Sequence, residues 1–244
     1  MDDITVVINS YKRPHTTVEQ YLAIKGQKDV KVKDIFYVQN TVPELNYYQH
    51  IHSFPNVTSF TMNKNIGVWG RFYAALNANT EYVCVFDDDT IPGSLWLKNC
   101  MDTYQNYPGL LGTIGVIFAN GAYHINKRIG WDNPNEQTEV VDLVGHSWFF
   151  HRDMLTYFCR ELPPINHSPF VGEDMHFSYM LQKYSDYKTY VPPHPRSNLE
   201  MWGSHKGWEY GGDRNATAGF AMPLMKECMQ NYTSSGFKML YEMK

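Results

Sequence analysis

Three aspartates, Asp87, Asp88 and Asp89, stand in a row where the apolar run EYVCVF (81–86) stops. Adjacent carboxylates repel one another and raise each other's pKa unless a cation compensates. One aspartate after a strand is ordinary turn chemistry, and turn residues do follow in TIPG (90–93). Three in a row call for more. Hard divalent cations such as Mn²⁺ or Mg²⁺ take carboxylate oxygens and keep positions open for water or phosphate. Alternate residues of an extended segment point to one side. Asp87 and Asp89 are therefore expected to share a cation, with Asp88 facing another group such as a ribose hydroxyl. A cation there would neutralise charge on a leaving diphosphate.

Other residues could join that chemistry. Glu173 and Asp174 offer a general base for a hydroxyl proton, or simply acids at a helix start. His205 lies in WGSHKG (202–207) with glycine on either side; imidazole binds Mn²⁺, so it is the expected third protein ligand. With ten histidines in the chain, most need no role, and His146, His151 and His176 are read as structural. Lys12 and Arg13 follow the first strand, either meeting diphosphate or lying on the surface. Asn40, Asn63 and Asn65 are turn formers or nucleoside contacts. Trp148 either stacks on an acceptor sugar or fills the core.

The elements that must hold these residues alternate. ITVVI (4–8), DIFYVQN (34–40), VTSFTMN (57–63) and EYVCVF (81–86) read as strands. Helical spacing covers 15–26, ending at Gly26 as a C-cap signal. It also covers 65–78, with Asn65 as N-cap, and 93–106, with Ser94 as cap. Strands alternating with helices imply βαβ units and a parallel sheet covered on both faces. Ligands of such sheets bind beyond the C-terminal strand ends, which puts Asn9, Ser10, Tyr11, Asn40 and Asp87–Asp89 along one edge. Farther on, 110–118 and 139–145 read as strands, 126–137 as a loop and 172–185 as a helix. Residues 192–217 read as a long loop of the kind that is usually functional, with a final helix after it.

The 244 residues, 43% hydrophobic and 15% aromatic, allow one sizeable core. The net charge of −4 recommends no nucleic-acid partner. The acidic Met1–Asp2–Asp3 opening is expected not to be a signal or transit peptide. No apolar stretch approaches a membrane span, and cytoplasmic localisation is expected. Cys84, Cys100, Cys159 and Cys228 form no C-x-x-C pair and are expected as reduced thiols, with Cys84 packed in a strand. The N-x-S/T sequons at Asn56, Asn166, Asn215 and Asn231 are expected to be chance.

Over roughly residues 4–212 the chain resembles the GT-A class of nucleotide-sugar glycosyltransferases. The opening TVVINSYKRP is similar to their first strand and nucleotide-binding loop, and NKNIGVWGRFYAAL (63–76) to their Asn-rich turn and Arg-bearing helix. VGEDMHFSYML (171–181) resembles their acidic helix beside the reacting carbon, and WGSHKGWEYG (202–211) a loop whose histidine completes the metal site. The pattern is nearest to exostosin-like (family 64) and family 2 enzymes, including short soluble relatives in bacteria and large algal viruses. The resemblance implies a single GT-A domain over 1–244, with a nucleotide-binding half (1–110) and an acceptor-binding half (111–244). It implies Mn²⁺ (or Mg²⁺) held by Asp87, Asp89 and His205, and a nucleotide sugar, expected to be a UDP-sugar, bound by Asn9, Ser10, Tyr11, Arg13, Asn40, Asn65, Arg71, Asp87 and Asp88. Arg71 would pair the first aspartate or touch phosphate, Asp174 would act as base beside Glu173, and Trp148 would line the acceptor site. A base implies inversion at the anomeric carbon, whereas exostosin-like enzymes imply retention. Unlike anchored members of these families, the chain is expected to lack a transmembrane anchor, and it is short.

Two other classes fit parts of this pattern. A nucleotidyltransferase would also use metal-bound carboxylates, but NSYKRP lacks the Gly-rich phosphate loop such enzymes need. A carbohydrate- or Ca²⁺-binding module would use the aspartates without any nucleotide.

Overall fold

Strand β1 (Asp3–Ser10) shows how the core is laid out. Ile4, Val6 and Ile8 alternate onto one face of the sheet, against Tyr21 and Ile24 of α1 (Thr17–Lys25) and Trp96, Leu97 and Cys100 of α3 (Trp96–Asn106). Val7 points to the other face, which is closed by Phe72 of α2 (Gly70–Ala75), Phe158 of α4 (Leu155–Phe158) and Phe177 of α5 (Glu173–Tyr184). A strand covered on both faces must be apolar at nearly every position, as ITVVI is. The computed structural model describes residues 3–11, 13–40, 54–130, 133–163, 169–205 and 218–243. Lys12, the sequons at Asn166 and Asn215, and 206–217 of the C-terminal loop lie outside the described residues.

The remaining strands are β2 (Lys31–Asn40), β3 (Val57–Met62), β4 (Tyr82–Phe86), β5 (Gly109–Asn120), β6 (His124–Gly130), β7 (Glu139–Val141), β8 (Leu143–His151) and β9 (Lys188–Val191). They form one nine-stranded sheet in the order β3-β2-β1-β4-β8-β5-β9-β7, with β6 on β5. β3, β2, β1 and β4 run parallel, so their C-terminal ends share one edge; β8 pairs antiparallel with both β4 and β5. A third cluster joins Met175 and Tyr179 of α5 to Met229 and Tyr232 of α6 (Ala218–Ser234). Phe72 anchors the second face: its ring centroid lies 4.9–6.5 Å from those of Trp148, Phe150, Phe158 and Phe177. Truncating such a residue to alanine costs about 3–5 kcal/mol.

Several expected boundaries moved. The helix expected over 65–78 spans only Gly70–Ala75. Gly67 is left-handed at φ +71°, which interrupts helical geometry, and Asn65 Oδ1 accepts from Gly67 N (2.8 Å) as a turn rather than a helix cap. A Cβ on Gly67 would lie 1.7 Å from Pro169 O, so only glycine fits this approach. Ser94 does not cap α3; its hydroxyl donates to Glu200. Gln27 Oε1 instead accepts from Leu97 N (2.9 Å), so the cap comes from another segment. The segment 126–137, expected as a loop, opens with β6, whose polar exposed residues are held by backbone pairing with β5. The strand expected over 139–145 breaks at Asp142, whose carboxylate accepts from Phe118 N and Leu240 N, both at 2.7 Å.

Past β9 the segment Asn198–His205 docks as a strap on Ile91–Leu95. Gly93 N donates to Trp202 O (2.9 Å), Leu95 N to Glu200 O (2.8 Å) and His205 N to Ile91 O (2.8 Å). Buried His194 secures it: Nε2 accepts from Gly203 N (3.2 Å), and Nδ1 lies 2.9 Å from Pro192 O.

Candidate active site

The parallel ends of β1 and β4 bring Asn9–Tyr11 beside Asp87–Asp89, as the alternation of elements requires. Neutral groups lock the aspartate turn. Gln20 Nε2 donates to Asp87 O (2.6 Å) and Thr90 O (2.8 Å), Thr16 Oγ1 donates to Asp88 O, and Thr90 Oγ1 donates to His146 O (3.0 Å). The carboxyl groups then have fixed directions.

Two guanidinium groups hold them. Arg13 meets Asp88 at 3.1 Å and Asp89 at 2.6 Å, and Tyr11 N donates to Asp88 Oδ2 (3.2 Å). Arg71 Nη1 binds Asp87 and lies 3.4 Å from Asn9 Oδ1, while Nη2 donates to Glu173 Oε1 (2.6 Å). The guanidinium lies over the Trp148 ring, 4.3 Å from its centroid. Gly172, at φ +93°, opens α5 so that Glu173 and Asp174 begin its first turn at the cleft. Asp174 Oδ1 accepts from Met175 N (2.7 Å).

Two guanidinium groups, Arg13 and Arg71, serve the carboxyls of this cleft, and burial shifts several of those carboxyls further. Burial, with Asp89 and Asp87 adding repulsion, pushes Asp88 up to about 7 against the pull of Arg13. Burial pushes Glu173 up against the pull of Arg71, which holds its carboxylate at 2.6 Å, and pushes Asp174 up to about 6 against its Met175 bond. Burial also acts on Asp89, but contacts with His146 and Arg13 outweigh it and hold that carboxyl below the usual range.

Asp87, Asp89 and His146 each offer a ligand atom, all within 4.8 Å of one another. His146 Nδ1 lies 3.6 Å from Asp89 Oδ1, and that oxygen accepts no hydrogen bond among the described residues. Two carboxylate oxygens and an imidazole nitrogen suit Mn²⁺ or Mg²⁺, and a buried carboxylate oxygen without a donor is what a cation would satisfy. The donor set thus fits a divalent ion.

His146 replaces His205 in this group. His205 is exposed on the strap, its ring turned to Leu199 O. The signal for His146 lay in the ladder. β8 pairs Ser147 with Phe86, so His146 falls opposite Asp87, whose N–H donates to His146 O (2.9 Å). The β5–β8 register slips here and His146 sits at φ +63°, as a bulge that re-aims its side chain. A left-handed β-bulge histidine costs on the order of 1–3 kcal/mol and is a feature of functional sites.

The other expected residues divide. Arg13, Arg71, Asp87, Asp89, Glu173 and Asp174 line one cleft of about 250 Å³. Asn9 and Tyr11 touch its charged groups. Ser10 is fully buried and is not among the residues that line the cleft. Asn40 is buried with Oδ1 accepting from Ile66 N (3.1 Å), and Asn65 closes the next turn. Trp148 reaches the cleft, but its indole is 2% exposed and lies under Arg71. The wall facing the acids comes from Tyr123, Phe170 and Met225, which the sequence reading did not single out.

No protein-family model matches the chain, and no curated protein is similar to it in sequence. Its backbone is similar to the crystal structure of S. aureus TarS 1-349, with a TM-score of 0.54 and 14% identity over 79% of this chain. The chain spans 58% of that structure's length. At that identity the likeness concerns the fold, and the mixed, mostly parallel sheet flanked by helices is a GT-A-like α/β fold in a single domain.

Proposed function

We propose that the chain is a cation-dependent glycosyltransferase that moves a sugar from a nucleoside diphosphate donor, a UDP-sugar, to a glycan hydroxyl. The observation that carries this reading is the convergence of Asp87, Asp89 and His146 at the end of a parallel strand, in a cleft that also holds Asp174. The shared fold with TarS, a family 2 glycosyltransferase, supports it. Asp87, Asp89 and His146 hold Mn²⁺ or Mg²⁺, which when bound offsets charge on the diphosphate leaving group.

The chain's own residues do the rest. Asp88, fixed by Arg13 and Tyr11 N, grips the donor's ribose or sugar. Asn9, Tyr11 and Arg13 border the nucleotide, Asn40 and Asn65 shape the neighbouring turn, and residues 1–110 form the donor side. Asp174, raised to about 6 by burial, takes the acceptor hydroxyl's proton near neutral pH, which makes the transfer inverting. Glu173, held by Arg71, fixes the start of the helix that carries Asp174. Residues 111–244 form the acceptor side, where Tyr123 and Phe170 present rings to the apolar face of a sugar. No helix among the described residues is long and apolar enough to cross a membrane.

Thermal unfolding with UDP, GDP, CMP or dTDP, each with and without Mn²⁺, tests the reading. A ligand that binds only the native state raises stability as RT ln(1 + [L]/Kd). The expected result is a shift with UDP that requires Mn²⁺ and disappears in Asp89→Ala, together with turnover of a UDP-sugar. Stabilisation by Ca²⁺ alone, with no response to any nucleotide, would overturn it.

A further inference from the structure

We propose that Arg71 is a positioning residue that makes cation loading at Asp87 and the placement of Glu173 depend on one another. The inference rests on the cation-dependent transferase reading above and names the device that joins its two halves. Arg71 is 3% exposed, so water cannot substitute for a lost partner. Its Nη1 binds Asp87 at the end of β4, and its Nη2 donates to Glu173 in the first turn of α5 at 2.6 Å. The guanidinium sits 4.3 Å from the Trp148 ring centroid and 5.6 Å from that of Phe72. Packed on two rings, the planar fork cannot turn toward one acid without leaving the other.

A cation shared by Asp87, Asp89 and His146 draws on the Asp87 carboxylate that Arg71 also holds. As Asp87 turns toward the cation, Arg71 is left leaning on Glu173, which fixes the start of α5 and hence Asp174 beside it. Conversely, when Glu173 loses its charge, Arg71 leans on Asp87 alone and competes with the cation. A buried charge with one partner removed must be compensated by those that remain.

The test is a double-mutant cycle on the full chain, read as Mn²⁺ affinity by calorimetry without any donor. Glu173→Gln should weaken Mn²⁺ binding about fivefold although Glu173 is not in the cation group, and less than about twofold when Arg71→Met is already present. Arg71→Lys, which keeps the charge but not the fork, should also suppress the Glu173→Gln effect, and it carries the cycle if Arg71→Met does not fold by circular dichroism. An equal Glu173→Gln effect in every background would mean simple charge removal and would overturn the proposal. So would an unchanged affinity in Glu173→Gln itself. Coupling without turnover of any nucleotide sugar would keep the role of Arg71 and remove the transferase reading. Turnover without coupling would do the reverse.

Discussion

The Asp87–Thr90 turn has two flanks built on opposite principles. On the cleft side the partners are charged and incompletely balanced: Arg71 shared by two acids, Asp89 Oδ1 accepting no hydrogen bond among the described residues, His146 left-handed, Asp174 raised to about 6. On the strap side the closing bonds run between backbone groups, from Gly93, Leu95 and His205, beside a buried His194 whose two ring nitrogens both have partners. A chain that needs only shape can satisfy every polar group. One that must meet a cation and a moving proton keeps groups in reserve and tolerates strain.

The sharpest way to break the comparison is Asp89→Ala. Loss of several kcal/mol of charge stabilisation should lower transfer by about three orders of magnitude and abolish Mn²⁺-dependent thermal stabilisation. If the Mn²⁺ response survives, the cleft flank is not a cation site. Asp174→Asn should lower kcat about a hundredfold or more while Mn²⁺ binding stays intact. The wild-type rate should rise with pH through about 6, where Asp174 loses its proton, and the variant should lack that limb.

The strap makes the next prediction. Burial drives His194 from 6.5 down to about 4. Its folded pKa is depressed, so between those values the unfolded chain binds a proton that the folded chain refuses. The stabilisation is present above pH 6.5 and is lost as the pH falls, by about 3 kcal/mol at the bottom of the window. Urea midpoints at pH 7 and 4.5 should therefore separate less in His194→Gln than in wild type. The smallest effect belongs to Gly93→Ala, whose Cβ would meet Glu200 O at 2.4 Å. A loss of about 1–3 kcal/mol with an unchanged Mn²⁺ response would keep the two flanks separate; a lost response would merge them.

Much of the first half was legible because a strand buried on both faces leaves a continuous β-branched run, and because parallel strands put their ends on one edge. Asp87 and Asp89 could be placed on that edge and Glu173 after Gly172, whereas Arg71 came from the resemblance of its helix. His146 could not be found by spacing. It lies just past the run 139–145 that reads as a strand, and its value depends on a pairing register with β4 and on one slipped residue. His205 had the more suggestive glycine-flanked setting, but its backbone serves the strap. The strand β6 was unreadable because its polar, exposed residues gain their order from β5. The Gln27 cap of α3 was invisible for the same reason, since a contact 70 residues away leaves no local trace.

The bulge at His146 also sets a parity. Beyond it Trp148 and Phe150 belong to one core and Phe149 to the other. Removing one residue there would force an arm of β8 to exchange sides, because neighbouring strand positions face opposite ways. The chain can therefore change the chemistry of position 146 by substitution, but it cannot shorten or lengthen itself there without rebuilding both cores.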